Sequence, residues 1–380
     1  MAKKLFNSLF GRQLSYGSEN EEPVNLQDAF SSNTTPQLEA YDQSSDQPPM
    51  QQQPPMQQLP PMQQQLNLGP QLQLKSQKIA PQTYGQMPSA PGGEDMNVAY
   101  KASNVIVRER IKKENPDDIA LLDSVDKSDI IVVRGTYDHI HLVLEAIGIP
   151  FLAVNPGDLM RMSLRPDQTV YVNCPSSFPA NAARKLEAFV KSGGQLITTD
   201  WALKHVLEVA FPKTVRHNGK NSGDEVVSIE IVAKDDEILK GFIDQEKDAA
   251  PVWWLECSSY PIEILDKKKV KVLVRSDDLK RKYGADPVII SFDHGEGVVY
   301  HMISHFYLQR SETRTSKQSL GTVAYAEAQN MTESSRLEVE GITKGCANLN
   351  YGVVQSASTS SEFVSRGVLK QKRKYASKLT

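Results

Sequence analysis

Ile130-Ile131-Val132-Val133-Arg134-Gly135 is the stretch that decides the fold of this chain. Its four consecutive apolar residues are typical of a strand that is buried on both faces, as the strands of parallel sheets are. A helical pattern follows from Asp138 to Ile147, and Gly148 ends it before a second apolar run at residues 150–154. The order strand, helix, strand predicts a βαβ unit and therefore a parallel sheet.

The same alternation recurs further along the chain. Residues 169–173 and 195–199 are the next predicted strands, and between them lies the helical pattern 180–192, which ends at Gly193-Gly194. Right-handed crossovers place such helices on both faces of the sheet. We therefore expect an α/β fold with a mostly parallel, doubly wound sheet in a flavodoxin-like three-layer sandwich.

A β-hairpin closes the predicted domain. Residues 288–292 and 298–302 are apolar runs, and the turn between them contains Gly295 and Gly297. The α/β domain is therefore expected to cover residues 127–309.

The segments that flank this domain differ from it in composition. Only 39% of the 380 residues are hydrophobic, which is below the globular average, and residues 1–95 are rich in Gln, Pro, Ser and Met. Such a segment buries too little apolar surface to offset its ordering entropy, so a disordered arm is expected. Residues 96–126 are predicted to be a helical linker, and residues 310–380 a mostly disordered tail.

Two features of the arm allow more than one interpretation. Three Pro-Pro-Met-Gln-Gln repeats lie between Pro48 and Gln65 and favour polyproline II, which suits either a semi-rigid spacer or a ligand for a partner. Several apolar residues lie at helical spacing near the start of the chain. They favour either a short amphipathic helix with weak contact to a membrane surface, or a short charged segment that merely precedes the disordered arm. These residues are Leu5, Phe6, Leu9 and Phe10.

Charge and cysteine content argue against several classes of protein. The formal net charge is −3, so the chain lacks the basic excess of sequence-independent nucleic-acid binding, and no nucleic-acid partner is expected. The three cysteines, Cys174, Cys257 and Cys346, form no CxxC pair, which argues against a disulfide framework and a structural zinc site. No apolar run is long enough to cross a bilayer, and no signal-peptide core is present, so a cytoplasmic protein is expected.

The opening of the domain resembles a known group of proteins. A strand that ends in Gly135, a helix from Asp138 to Leu144 and the sequence Gly148-Ile149-Pro150 are similar to the start of class I glutamine amidotransferase-like domains.

Two later passages extend this resemblance. Residues 186–197, with Phe189-Val190 before Gly193-Gly194, are similar to a passage of the non-glutaminase branch, which includes trehalose-utilisation-like proteins. Residues 295–305 resemble the closing hairpin of the same domains. The resemblance covers roughly half of the chain and implies the same α/β fold for it.

The resemblance also bears on catalysis. In catalytic members a cysteine occupies a sharp strand-to-helix turn, where the helix N-terminus lowers the pKa of its thiol. The resemblance places this turn at Thr199-Asp200-Trp201, which has no cysteine, and the chain has no Gly-x-Ser-x-Gly or Gly-x-Cys-x-Gly elbow. Glutaminase chemistry is therefore not expected. Asp200 is a candidate acid or base, although we expect it to be the N-cap of the helix that follows.

Other side chains are candidates for a site. Cys174 follows a predicted parallel strand, at the sheet edge where ligands of open α/β sheets bind, but the expected alternative is a buried, inert cysteine. His301 and His305 are candidate ligand-binding residues. Together with His294 they could form a metal site. Four residues of strand, however, would separate His301 from His305 by about 13 Å, so no metal is expected. Trp253-Trp254 suits a carbohydrate or proline-rich ligand, or else covers the core.

These features favour a non-catalytic binding or scaffold protein that assembles with other proteins through its N-terminal arm, without a cofactor. The chain has no nucleophile elbow, which argues against an enzyme but does not exclude one. The alternative is an enzyme or carbohydrate-binding protein of the trehalose-utilisation type, with Asp200, Cys174, His301 and His305 at the strand ends. The alternative requires these four side chains to converge in one cleft at the carboxyl edge of the sheet.

Overall fold

The computed structural model describes residues 93–243, 251–307 and 316–377. Residues 1–92 of the predicted arm lie outside these ranges. The Pro-Pro-Met repeats and the proposed membrane contact of Leu5, Phe6, Leu9 and Phe10 belong to this part. Nothing in the structure bears on those predictions.

The strands of the described ranges are short, because turns or loops follow each apolar run. They are β1 Ile130–Val133, β2 Leu152–Val154, β3 Thr169–Val172, β4 Gln195–Thr199, β5 Val215–His217, β6 Glu225–Ser228, β7 Glu230–Ile231, β8 Val252–Leu255, β9 Ile262–Ile264, β10 Lys271–Arg275, β11 Pro287–His294 and β12 Gly297–Met302.

The helices of the described ranges lie before, between and after these strands. They are α1 Gly93–Glu114, α2 Asp117–Asp123, α3 Ile140–Ala146, α4 Pro156–Leu159, α5 Ala180–Lys191, α6 Glu208–Ala210, α7 Asp277–Tyr283, α8 Thr322–Ala328, α9 Glu333–Thr343 and α10 Tyr351–Ala376. A π-helical turn, Leu203–Leu207, leads into α6, and a 3₁₀ turn spans Glu237–Leu239.

Eight strands form the central sheet in the order β2-β1-β3-β4-β12-β11-β10-β7. The first five run parallel to one another, and β11, β10 and β7 follow as antiparallel strands. The predicted α/β fold with a mostly parallel sheet is thus confirmed, and so is the closing hairpin, which is β11 and β12. A two-residue turn joins β11 to β12, so these strands pair antiparallel as a hairpin, and α7 lies in the connection between β10 and β11.

The long insertion between α6 and β10 forms two small antiparallel sheets, β5 with β9 and β6 with β8. Residues 225–231 are divided between β6, which pairs with β8, and β7, which lies at the edge of the central sheet.

Helices cover both faces of the central sheet. Alternation along β4 places Leu196 on the face covered by α5 and Ile197 on the face covered by α10, where the Ile197 side chain lies close to Gly367. The side-chain amide of Gln195 donates to the carbonyl of Gly367 at 2.8 Å, and Lys370 donates to the hydroxyl of Tyr300 at 2.6 Å. Polar contacts therefore hold α10 against the middle of the sheet.

The prediction of a mostly disordered tail at residues 310–380 is wrong for the part that the structure describes. That part contains α8, α9 and α10, and α10 is buried from Tyr351 to Leu369 at every position except Ser356. Its many Ser, Thr and Ala residues gave it the composition of a polar tail, but small side chains allow a helix to pack closely on several sides. Two of these hydroxyls bond within the protein: that of Ser361 bonds to Ser103, and that of Thr359 donates to the carbonyl of Gln355.

The predicted linker at residues 96–126 is helical, but it belongs to the core. Tyr100 and Ile106 of α1 are fully buried. The hydroxyl of Tyr100 donates to the carbonyl of Phe306 at 2.7 Å, which connects α1 to the segment after β12. The division into linker, domain and tail is therefore wrong for α1, α2 and α10, which pack as parts of the domain.

A buried ionic group joins α1 to α10. The carboxylate of Glu362 is fully buried and pairs with Arg110 at 2.5 Å and with Arg366 at 3.0 Å. Arg366 in turn pairs with Glu114 at 2.6 Å. An unpaired charge in such a place is strongly unfavourable, so each helix depends on the other.

Among the described helices none is both long and apolar enough to cross a membrane.

The packing of α10 can be tested at Phe363, whose ring is 1% exposed and contacts Phe242 and Phe306. We expect Phe363→Ala to lower the free energy of unfolding by about 3–5 kcal/mol, because it removes a buried aromatic ring and leaves a cavity. The matched control is Leu337→Ala on α9, where the side chain is 61% exposed and a change below about 0.5 kcal/mol is expected. Denaturant unfolding measures both, and equal small effects would contradict a buried α10.

Candidate functional site

Three of the predicted candidates meet at the carboxyl edge of the central sheet. Cys174 follows β3, Asp200 follows β4 directly, and His305 lies three residues beyond β12. Because β3, β4 and β12 are neighbouring parallel strands, their carboxyl ends bring these side chains together. The sulfur of Cys174 is 3.9 Å from Oδ2 of Asp200, and Nε2 of His305 is 3.5 Å from the same oxygen.

Asp200 occupies a sharp turn at the end of β4. Its φ is 43°, in the left-handed region that Asp adopts more readily than most residues. Its N–H donates to the carbonyl of Met302 at 2.8 Å, and its own carbonyl accepts from the N–H of Leu203 at 2.9 Å. The strand-to-helix turn expected from the amidotransferase resemblance is therefore present, with an aspartate at its apex.

The predicted N-cap role of Asp200 is wrong. The π-helical turn that follows begins without a side-chain cap. The Asp200 carboxylate instead accepts hydrogen bonds from the N–H of Tyr260 at 2.9 Å and from the hydroxyl of Ser259 at 3.2 Å. Its left-handed backbone turns the side chain away from the helix and towards the insertion.

His305 lies between two carboxylates. Its Nε2 faces Asp200, and its Nδ1 pairs with the carboxylate of Glu256, just after β8. Burial by itself lowers the pKa of this imidazole, but the interactions with Asp200, Cys174 and Glu256 raise the pKa well above its usual value. The folded protein therefore holds a buried imidazolium. Its contribution to stability is complete below the unfolded pKa of about 6.5 and is lost as the pH rises through the folded pKa.

The Asp200 carboxyl responds to the same surroundings. Burial raises its pKa, since it is 3% exposed, and the contacts with His305, Tyr260 and Ser259 oppose that shift. The charges of Asp200 and His305 therefore depend on each other.

Cys174 lacks the properties of a nucleophile. Its side chain is 1% exposed, and burial raises the pKa of its thiol to about 11, although His305 and the N–H of Trp201 favour the thiolate. Reactive cysteines have lowered pKa values and are accessible. The interpretation of Cys174 as a buried, inert thiol is therefore favoured over a catalytic one.

Aromatic rings stand beside this cluster. The indole of Trp201 stacks on Tyr260 with ring centroids 5.4 Å apart, and Tyr260 stacks on His217 at 4.0 Å. Tyr137 contacts the edge of Trp201 at 4.9 Å. Sequence reasoning placed Trp201 at the turn and grouped Tyr260 with Trp253-Trp254 as an aromatic cluster. It missed Tyr137, His217, Glu256 and Ser259, because three of these four lie in the insertion, and no pattern showed that the insertion returns to the sheet edge.

His301 does not join the cluster. It lies within β12, is 1% exposed, and its Nδ1 is 2.9 Å from the hydroxyl of Thr198. Burial lowers its pKa to about 3, so the ring is neutral. His294 lies at the far end of the hairpin, where it contacts Glu187 and Lys269. The structure thus separates the three histidines that sequence proximity had grouped as a conceivable metal site.

The two tryptophans proposed as a ligand platform point in different directions. Neighbouring positions on β8 place their rings on opposite faces of the strand. The ring of Trp253 packs on Phe242 at 5.6 Å, and Nε1 of Trp254 donates to Asp224 at 2.6 Å. A single sugar ring cannot stack on both, so the paired platform is not formed.

No protein-family model and no curated protein matches this chain. Solved structures with weak similarity include a cytoplasmic protein from Salmonella typhimurium, with 12% identity, a TM-score of 0.32, and coverage of 56% of this chain and 97% of that one. A putative ThuA-like protein from Bacteroides uniformis has 11% identity and a TM-score of 0.34, with coverage of 48% and 83%.

Several β-galactosidases match over a smaller share of their length. For the enzyme from Bacillus circulans the identity is 11%, the TM-score is 0.32, and the match covers 50% of this chain and 31% of that one. All of these identities are below 25% and all of these TM-scores are below 0.5. The similarities therefore carry no conclusion about the activity of this chain.

The state of Cys174 can be tested by alkylation of the native protein with iodoacetamide at pH 8. With a pKa of about 11, only about one thiol in a thousand is ionised at that pH, and burial also blocks the reagent. We expect Cys257, which is exposed, to be modified, and Cys174 to remain unmodified until denaturant is added. Peptide mass spectrometry measures both sites. Equal rates at Cys174 and Cys257 in the native protein would show that the thiol is accessible and activated.

Proposed function

We propose that this chain is a cytoplasmic, non-catalytic binding protein in which a degenerate amidotransferase-like domain of the flavodoxin type supports assembly with other proteins. The observation that carries the proposal is the state of Asp200. The residue at the apex of the strand-to-helix turn is buried, and donors of its own chain occupy its carboxylate.

A nucleophile at such a turn requires a free lone pair and an open approach. Asp200 lacks the open approach, because its side chain is 3% exposed, and Ser259 and Tyr260 already donate to two of its lone pairs. Hydrogen bonds to a charged group contribute about 1.5–3 kcal/mol each. The carboxylate therefore serves to hold the insertion, through residues 259–260, against the edge of the sheet.

Strand order and composition agree with this assignment. The parallel part of the sheet runs β2-β1-β3-β4-β12, which corresponds to the flavodoxin-like order 2-1-3-4-5. The Pro-Pro-Met-Gln-Gln repeats before the domain have the composition of extended segments that partner proteins recognise. We infer that the domain anchors the chain and that the repeats contact the partner.

Affinity purification from the native host can test this proposal with three tagged proteins. They are the full chain, a chain that lacks residues 1–92, and a full chain in which the repeat prolines are replaced by Ser; these are Pro48, Pro49, Pro54, Pro55, Pro60 and Pro61. We expect proteins that co-purify with the full chain and are absent from both variants, because extended Pro-rich segments present low-entropy binding surfaces. Identical protein sets from all three would contradict a role for the repeats, and no specific protein from any would contradict the binding function.

A second candidate function rests on one specific feature of the site. His305 directs Nε2 towards Asp200 and Nδ1 towards Glu256, which is the arrangement of the base in a nucleophile–His–acid triad. The chain order Asp200, Glu256, His305 is the order of nucleophile, acid and histidine in α/β-hydrolases. This favours the alternative of a trehalose-utilisation-like enzyme or carbohydrate-binding protein. One observation argues against this alternative. The raised pKa keeps His305 protonated, and a protonated imidazole cannot act as a general base.

The two functions can be separated with a panel of chromogenic esters, amides and glycosides. We expect the wild-type chain to show no turnover above that of Asp200→Asn, because the Asp200 carboxylate is occupied. Asp235→Asn, at an exposed position, is the matched control. Turnover that disappears in Asp200→Asn but persists in Asp235→Asn would overturn the non-catalytic proposal and establish the hydrolase.

A further inference from the structure

We propose that Cys174, Asp200 and His305 bind a transition-metal ion of the zinc type, with one ligand atom from each side chain. The assignment is independent of the proposed binding function. It rests on the distances between the ligand atoms, on a buried nitrogen that lacks a partner, and on the groups that surround the three ligands.

The ligand atoms have the spacing that one ion requires. The sulfur of Cys174, an oxygen of Asp200 and a nitrogen of His305 all lie within 4.8 Å of one another. Zinc bonds of about 2.3 Å to sulfur and about 2.0–2.1 Å to nitrogen and oxygen place tetrahedral ligands roughly 3.3–3.6 Å apart. The observed separations are 3.5 Å between Nε2 and Oδ2 and 3.9 Å between the sulfur and Oδ2. These two separations are within a few tenths of an ångström of the ideal values, and the third, between the sulfur and the histidine nitrogen, is no more than 4.8 Å.

Nε2 of His305 points to the same conclusion. The side chain is 5% exposed, and Nε2 has no hydrogen-bond partner within usual limits among the described residues. Its nearest acceptor, Oδ2 of Asp200, lies at the outer limit of 3.5 Å. A buried nitrogen without a partner is rare, and an ion at the centre of the three side chains provides one.

The other nitrogen of His305 is already fixed. Nδ1 pairs with the Glu256 carboxylate, which places the ring proton on Nδ1 in the neutral imidazole and leaves the lone pair of Nε2 directed towards Asp200. A carboxylate on the far nitrogen of a histidine ligand is the usual outer partner in metal sites, where it orients the ring and increases its basicity.

The remaining two ligands have outer partners as well. Ser259 and the N–H of Tyr260 donate to the Asp200 carboxylate, and the N–H of Trp201 donates to the sulfur of Cys174. Each ligand also follows a different strand, β3, β4 or β12, so the sheet holds all three in place before an ion binds.

The donor set identifies the class of ion. One thiolate, one imidazole and one carboxylate suit zinc and neighbouring first-row ions, whereas Mg²⁺ and Ca²⁺ prefer oxygen alone. On binding, the thiol of Cys174 loses its proton and His305 becomes neutral, so binding releases protons. The ion carries two positive charges and the thiolate and the Asp200 carboxylate carry one negative charge each, so the buried charges of the three ligands and the ion balance. Three protein ligands leave a fourth position for water.

The first experiment uses the full chain without an affinity tag, stripped with chelator and then loaded with Zn²⁺ or Co²⁺. We expect one equivalent of metal by elemental mass spectrometry, and with Co²⁺ a thiolate-to-metal charge-transfer band in the near ultraviolet. Cys174→Ser is expected to lose this band and at least 100-fold in metal affinity, measured by competition with a chromophoric chelator. Cys257→Ser, which removes the exposed cysteine, is the matched control and is expected to behave as wild type.

A second variant keeps the test decisive if Cys174→Ser does not fold. Glu256→Gln leaves all three ligands in place and removes the charge of the outer carboxylate, so we expect the charge-transfer band to remain and the affinity to fall 10- to 100-fold. His294→Gln, far from the site, is its control. Failure of the wild-type chain to bind one equivalent overturns the proposal. Binding that is unchanged in both Cys174→Ser and Glu256→Gln places the ion elsewhere and overturns it as well.

Discussion

The buried carboxylate of Glu362 is the constraint on which the architecture depends. It is fully enclosed, and it is tolerable there only because Arg110 of α1 and Arg366 of α10 pair with it. The pairing makes α1 and α10 one layer, and α10 covers the middle of the sheet through Phe363, Gly367 and Lys370. Without α1 the Glu362 carboxylate would lose its pair with Arg110, and without α10 one face of the sheet would be uncovered.

The same layer reaches the candidate site. Tyr100 of α1 holds the carbonyl of Phe306, and the Asp138 carboxylate accepts from the N–H groups of Phe306 and Tyr307 at 3.3 Å. These contacts fix the segment that carries His305. The position of the imidazole between Asp200 and Glu256 therefore follows from packing on both sides of the sheet edge, and it does not depend on a local loop conformation. A preorganised site of this kind suits either a permanent structural contact or an ion.

The sharp turn after β4 combines a left-handed backbone with a buried carboxylate. The left-handed backbone at Asp200 is retained, but the side chain accepts hydrogen bonds from the insertion and does not face an open cleft. Cys174, on the neighbouring strand, is a buried thiol of raised pKa. Four donors or cations therefore surround one carboxylate: Cys174, Ser259, Tyr260 and His305. This arrangement orders the side chains of the site and closes the Asp200 carboxylate off from solvent.

The sequence by itself determined the sheet, because a continuous apolar run such as residues 130–133 requires burial on both faces, and the Gly-rich turn before β12 indicates a hairpin. It also placed Cys174 and Asp200 at strand ends. Only the tertiary structure decided that α10 is core, because its Ser and Thr residues are polar one by one and are buried only through partners distant in sequence, such as Ser103. It alone joined Glu256, Ser259 and Tyr260 to Asp200 and separated His301 from His305, since the contacts of an insertion and the face of a strand residue depend on how the chain returns to the sheet.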